Sequence, residues 1–292
     1  MLPPLFVNKS YRHQLCYLLL FVIGGLVAFS SIAAILSFVI TPNSRLYLYI
    51  IQSVTAFGTF FLPALLFSYC ASKKWFTYSE ADRIAPLQLV GYVLILSLLI
   101  LPIIVCLGYF NEQISLPESM QKIEILMREM EERNRMILQT LTANSNITIL
   151  LVNILVMALL PAIFEEFLFR GTLQTLFSKW FANKHIAIIV TAFIFSAIHF
   201  QFYGFIPRFL LGIYLGYLFV WGRSLWLPII AHFMHNAVSL IGDYAAQRRG
   251  IDLESVNPNQ IPEFYPVVLF CTFCVGVGIY YLWKKAYLAQ RQ

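Results

Sequence analysis

The sequence predicts an all-α, polytopic membrane protein of about eight transmembrane helices, with an amphipathic insert between the third and the fourth. Three observations predict it. Of 292 residues, 60% are hydrophobic and 12% charged, and the mean hydropathy is +0.75; soluble domains carry roughly 25% charged residues. The apolar residues fall in runs approaching or exceeding the roughly 20 residues that cross a bilayer. Lys and Arg gather at the ends of those runs, where membrane topology places them. The net charge of +6 therefore argues for a lipid bilayer as partner and not for nucleic acid, since no basic stripe with interleaved aromatics occurs.

Taken in order, the first run, 15–40, follows Lys9 and Arg12. It outlasts the about 7–15 apolar residues of a signal peptide and reads as a retained anchor. The second covers 46–71 and the third 86–109. The fourth, 147–169, ends in Glu165-Glu166. The fifth, 185–200, ends at His199. The sixth, 206–221, contains Gly212-x-x-x-Gly216, a spacing that lets helix backbones approach closely. The seventh, 225–241, contains His232, His235 and Asn236. The eighth, 265–283, ends in Lys284-Lys285. Cys271-x-x-Cys274 lies inside it and reads as two small buried hydrophobes, not as a redox or metal pair. The whole, 1–292, is one membrane domain: three N-terminal helices (1–110), the insert (111–146), a core carrying the motifs (147–245) and a loop with the last helix (246–292).

The insert opens with Ser115-x-x-Glu118, a capping-box signature. Met120, Ile123, Met127, Met130, Ile137 and Leu141 then recur at helical spacing, predicting an amphipathic helix. Its charged residues read as a solvated face. Its five Glu between 118 and 135 disfavour a bilayer surface, which selects Lys and Arg. The apolar face is expected to dock across the extracytoplasmic end of the bundle as a lid or brace, within reach of the loop after the seventh run.

Orientation follows from the basic residues. With the N-terminus inside, the inside segments hold Lys9, Arg12, Lys73, Lys74, Arg83, Arg170, Lys179, Lys184, Arg223, Lys284, Lys285 and Arg291. The outside segments hold Arg45, Lys122, Arg128, Arg133, Arg135, Arg208, Arg248 and Arg249. Twelve against eight favours both termini in the cytoplasm and a multi-pass protein of the cytoplasmic membrane.

Charged groups inside apolar helices are costly, by about 2.5–3.5 kcal/mol on insertion scales, so the polar residues of the runs are functional candidates. Glu166 and Arg170 are four apart and pair on one face. Glu165 points about 100° away and has no local cation. Phe195 and His199 share a face, as do His232 and Asn236. Pro161 cannot donate to the carbonyl of Met157, which loosens the helix one turn before Glu165. Such freed backbone is tolerated beside a cavity. A carboxylate, two imidazoles and a carboxamide from three helices suit activation of water and acyl transfer. No Gly-x-Ser-x-Gly setting supplies a nucleophile. Glu165, His199 and His232 would make a His₂Glu zinc shell, yet the usual His-Glu-x-x-His helix is absent. Zinc stays an alternative, and no cofactor is otherwise expected.

Glu-Glu-x-x-x-Arg, Phe-x-x-x-His and His-x-x-x-Asn, in that order on successive helices, resemble the three motifs of the CAAX-protease and bacteriocin-processing family (the Abi family, type II CAAX prenyl endopeptidases). Arg208…Gly212-x-x-x-Gly216 and Ser224-Leu-Trp226 are similar to it too, and the likeness covers about 160–240. The resemblance implies an eight-helix intramembrane endopeptidase, acting without metal, with a cavity opening to the cytoplasmic side. It would make Glu165 and His199 the pair that activates water and His232 with Asn236 the oxyanion hole. Glu166 and Arg170 would be supports, with Phe195 beside them, while His235 falls outside the pattern. The substrate would be a peptide or protein, lipidated or not. The reading from a different class is a non-enzymatic membrane scaffold or bacteriocin-immunity protein on the same helical frame.

Overall fold

The computed structural model describes residues 5, 6, 8–42, 44–72, 74–143, 146–251 and 256–289. Lys73 and Arg291 of the charge count, and part of the loop within 246–292, lie outside them. Among the described residues there is no strand. The helices are α1 (Tyr11–Leu36), α2 (Arg45–Ser72), α3 (Leu87–Glu112), α4 (Gln121–Thr142), α5 (Ile147–Phe181), α6 (Lys184–Ala197), α7 (Phe205–Gly222), α8 (Trp226–Arg248) and α9 (Phe264–Ala289). All eight expected runs are helical, in the expected order, with the insert α4 between the third and fourth.

Length and composition alone do not confirm the count of eight spans. Six of these helices, α1, α2, α3, α5, α7 and α9, are long and apolar enough to cross a membrane. α6 has only 14 residues, about 21 Å at 1.5 Å per residue, short of a hydrocarbon core of about 30 Å. α8 is long enough, but His232, His235, Asn236 and Asp243 lower its hydropathy. The two helices that miss the criterion are two of the three that bear the candidate polar residues.

Ser10, Ser44, Asn146 and Asn183 cap the starts of α1, α2, α5 and α6 with their side-chain oxygens. A left-handed Ala182 (φ 51°) breaks α5 from α6, and a left-handed Arg223 (φ 48°) ends α7. α7 is the enclosed helix: 44% of its span is buried, against 11% for α1, whose Leu20, Ile23 and Val27 face outward. A Cβ on Gly212 would come within 3.0 Å of the Ala192 side chain, and one on Gly216 within 2.9 Å of Ile188. The glycine spacing thus does bring α7 tightly against α6. Phe67, Phe167, Phe169, Phe195 and Phe219 form the aromatic core around which α2, α5, α6 and α7 pack.

The insert docks, but not through the face expected. Met120, Ile123, Met130 and Ile137 are 40–43% exposed. The face turned to the bundle carries Glu124, Met127 and Glu131, and then Leu141. Tyr203 donates its hydroxyl to Glu124 (3.2 Å) and its backbone N–H to Glu131 (3.3 Å), while Gln201 donates to Glu131 (3.4 Å). The Arg128 guanidinium lies 4.5 Å from the centre of the Tyr203 ring. Arg128 also donates to Glu124 (2.7 and 3.0 Å) and holds that carboxyl below the usual carboxylate range. Acidic residues read as solvated are therefore the attachment, because the loop beneath offers N–H and O–H donors and no apolar groove. The contact is to the turn between α6 and α7, and to α2 through Arg45, which donates to the Ala143 carbonyl (2.6 Å). The capping box does not form either. Glu118–Met120 is a short 3-10 turn without a side-chain cap, and Leu116 N–H goes to Glu124 (2.9 Å).

Candidate active site

Each polar group is placed by features of its own helix. In α5, Leu160–Glu166 is ordinary α-helix between two wide π-wound stretches, Ile154–Leu159 and Phe167–Gln174. The first absorbs the N–H that Pro161 lacks, where loosening was expected. In the second, the hydroxyls of Thr172 and Thr175 donate to the carbonyls of Phe167 (3.0 Å) and Arg170 (3.1 Å), covering oxygens exposed by the wider winding. Such π segments recur at functional sites. At the other end, buried Asn111 donates to the Phe202 carbonyl (2.9 Å) and accepts from Ile206 N–H (3.0 Å). Ser196 donates to the Phe205 carbonyl (2.7 Å). These bonds fix the turn after α6 that carries His199. Ser224 and Trp226 anchor the start of α8 on the preceding loop, donating to the carbonyls of Arg83 (2.5 Å) and Ala81 (3.0 Å). That sets the direction in which His232 and Asn236 project.

Glu165, Phe195, His199, His232 and Asn236 line one cavity of about 500 Å³, whose apolar wall includes Met157, Pro161, Leu211 and Leu240. Glu166 and Arg170 lie behind it, both fully buried. Glu166 Oε1 accepts from Arg170 (2.6 Å) and from His232 Nδ1 (2.9 Å). Arg170 also donates to the Gly212 carbonyl (3.1 Å) and stands 4.7 Å from the centre of the Phe195 ring. Phe195 meets both imidazoles edge-on, at 5.3 Å from His199 and 5.9 Å from His232. The pairing of Glu166 with Arg170 was legible from their spacing. The bond of Glu166 to His232, 66 residues away, was not.

The hydrogen bonds select tautomers. His199 Nδ1 is 2.7 Å from the Phe195 carbonyl, which can only accept, so the proton sits on Nδ1. Nε2 of neutral His199 is then a free acceptor. His232 gives Nδ1–H to a carboxylate already paired with Arg170, and its Nε2 stands 4.0 Å from Glu165. A donor role for that nitrogen requires the doubly protonated ring.

Among the described residues no group of three or more His, Cys, Asp and Glu is arranged to hold a metal ion. Glu165, His199 and His232 share one cavity, and the Nδ1 contacts of His232 with Glu166 and of His199 with the Phe195 carbonyl leave both Nε2 atoms open to it. Cys271 and Cys274 are free thiols on α9.

Residues to which sequence reasoning gave no role also line the cavity: Arg208, His235, Ser239 and Asp243, with Gln52 from α2 and Leu138 from α4. Arg208 interrupts an apolar run and His235 lies three residues after His232, which were the available signals. The presence of Leu138 and Gly204 shows that the cavity reaches the end of the bundle carrying the insert.

No solved structure matches the chain. Over 90 residues it is 36% identical to the uncharacterized protein YpbD of Bacillus subtilis (strain 168), a stretch covering 30% of this chain and 43% of that protein. The chain thus matches less than half of the length of that relative. Residues 147–238, which hold Glu165, Glu166, Arg170, Phe195, His199, His232 and Asn236, match the family model of the Rce1-like type II CAAX prenyl endopeptidases.

Proposed function

We propose that this multi-pass membrane protein is an intramembrane endopeptidase of the CAAX type. One observation carries the reading: Glu165, His199, His232 and Asn236, spread over 72 positions (165 to 236), line one partly apolar cavity. Water held between Glu165 and Nε2 of His199 loses a proton as it attacks the peptide carbonyl. That proton passes to the leaving amine as the C–N bond breaks, and the hydroxyl now on the carbonyl carbon gives up its own proton as well, leaving a carboxylate and an ammonium. The carboxamide of Asn236 and the Nε2–H of doubly protonated His232 would stabilise the oxyanion, which develops only in the transition state. Glu166 supports this by taking Nδ1–H of His232 while balancing the charge of Arg170. No step in this scheme runs through a metal.

Both termini are placed in the cytoplasm on the balance of basic residues, so the cavity would be reached from the extracytoplasmic side. A single cysteine placed at Gln113 should then react with a membrane-impermeant thiol reagent in intact cells; labelling only after lysis would reverse the orientation. The chemistry is tested with Glu165→Gln and His199→Ala. General acid–base groups contribute about 10²–10⁴-fold, so both variants should lose that much turnover while remaining folded in the membrane. A substrate for the assay comes from comparing membrane proteomes of wild-type and Glu165→Ala cells for one uncleaved precursor. Turnover above about a tenth of wild type in either variant would refute the assigned roles.

A further inference from the structure

At the end of the bundle away from the cavity of Glu165, two clefts open beside each other. One, of about 140 Å³, is lined by Lys184 and His185 of α6, by Tyr217 and Trp221 of α7 and by Trp283 of α9. The other, of about 120 Å³, is lined by Leu89 and Val93 of α3, by Leu218 of α7 and by Leu282 and Lys285 of α9. Trp221 and Ala286 line both. His185 and Phe195 stand at opposite ends of α6, about 15 Å apart at 1.5 Å per residue, and no residue of either cleft lines the cavity of Glu165.

The two clefts differ in chemistry. The first is polar and aromatic: His185 Nδ1 lies 2.8 Å from the Tyr217 hydroxyl, and the Tyr217 ring stacks on Trp221, one turn further along α7, at 4.7 Å. The second is apolar apart from Lys285. Lys184 and Lys285 are exposed, and among the described residues neither is in an ion pair. No acidic residue lines either cleft. Two uncompensated positive charges thus border an apolar slot. Lysine stems lie along apolar surface with the ammonium in the polar layer, and Trp and Tyr sit at headgroup level. Basic pockets between membrane helices on the cytoplasmic side receive anionic lipid headgroups. The balance of basic residues would put this end there. A free phosphate could use the lysines but would leave the apolar slot unfilled.

We infer that the paired clefts between α3, α6, α7 and α9 bind one anionic phospholipid, with its phosphate held by Lys184 and Lys285 and the upper part of an acyl chain against Leu89, Val93, Leu218 and Leu282. Trp221, common to both clefts, separates headgroup from chain. The lipid ties the start of α6 to α7 and α9, and α6 is the helix that covers only about 21 Å of a hydrocarbon core of about 30 Å. The site stands whether or not the peptidase reading does, because it shares no residue with the cavity of Glu165.

The test places the full-length chain in nanodiscs of phosphatidylcholine with phosphatidylglycerol as the minor lipid, releases it into detergent and counts retained lipids by native mass spectrometry. Phosphatidylglycerol should be favoured over phosphatidylcholine by about thirtyfold, at about fivefold for each lysine beside an anionic headgroup. Lys184→Gln and Lys285→Gln should each lower that preference about fivefold. Both side chains are exposed, so these variants should keep the wild-type size-exclusion profile. Ala286→Phe, which fills both clefts, should abolish the retention. Lys284→Gln is the control: it removes a charge from the same end but lines neither cleft, and should leave the preference unchanged. Excess glycerol 1-phosphate, a headgroup without chains, should not displace the lipid. Equal retention of the two lipids overturns the proposal, as does a preference that survives Lys184→Gln, Lys285→Gln or Ala286→Phe. Equal losses from Lys284→Gln and Lys285→Gln also overturn it, leaving only the general attraction of a basic surface. Displacement by glycerol 1-phosphate overturns it too and reassigns the lysines to a free phosphate.

Discussion

Replacing Glu166 with Ala strands two partners at once. Glu166 Oε1 accepts from Arg170 at 2.6 Å and from His232 at 2.9 Å, and both Glu166 and Arg170 are fully buried. Removing one member of a buried ion pair costs about 3–5 kcal/mol, because the remaining charge is left uncompensated. Arg170 would keep its bond to the Gly212 carbonyl and its seat on the Phe195 ring. Those contacts place the loss toward the lower end, about 3 kcal/mol, still a large share of a typical about 5–15 kcal/mol. Turnover should fall as well, since His232 loses the acceptor that selects its tautomer; about 10²-fold is the low end for acid–base groups. From spacing alone Glu166 reads as a stability residue; the bond to His232 adds the kinetic effect. The assay is a thermal melt in detergent beside turnover, with Glu166→Gln as a variant that keeps Oε1 and loses the charge. An unchanged melting midpoint with unchanged turnover in Glu166→Ala would refute the reasoning.

Exhaustive chelation should leave activity intact, because the proposed scheme activates water with Glu165 and His199 alone; loss on chelation with recovery on added zinc would contradict this. Gly216→Leu should destabilise the protein by about 1–3 kcal/mol through overpacking, as even a Cβ meets Ile188 and Gln174 at 2.9 Å, and a wild-type melt would count against it. The docking of the insert should depend on pH in one direction. Glu124 has a lowered folded value, so its contribution is complete above the ordinary carboxylate pKa and is lost as pH falls through the lower folded one. Exchange protection of 121–142, corrected for intrinsic rate, should therefore hold through neutral and mildly acidic pH and decline only below the ordinary carboxylate range. Protection that fell between pH 7 and 5 would point to another group.

Much of this molecule is local information, and local information was legible. Helix class, element order, the pairing of Glu166 with Arg170, the loosening at Pro161 and the close approach at Gly212 and Gly216 all follow from side-chain period, proline chemistry or residue size. So did the three polar groups, because a carboxylate or imidazole in an apolar run is conspicuous. The count of eight spans is not confirmed at α6 and α8, because α6 is short and polar residues dilute the apolar run of α8. The insert failed differently. Its period predicted the helix, but the residues that face the bundle mix Met127 and Leu141 of the expected apolar face with Glu124 and Glu131, because the partner is a turn rich in donors at 201–203. Only the tertiary structure decided that Glu124 and Glu131 face inward, that His232 shares Glu166 with Arg170, and that Arg208 and His235 belong to the cavity. The physical reason is the same in each case. A helical repeat states which residues lie on one side of a helix, whereas hydrogen-bond partners 66 to 79 residues apart are chosen by how the helices pack.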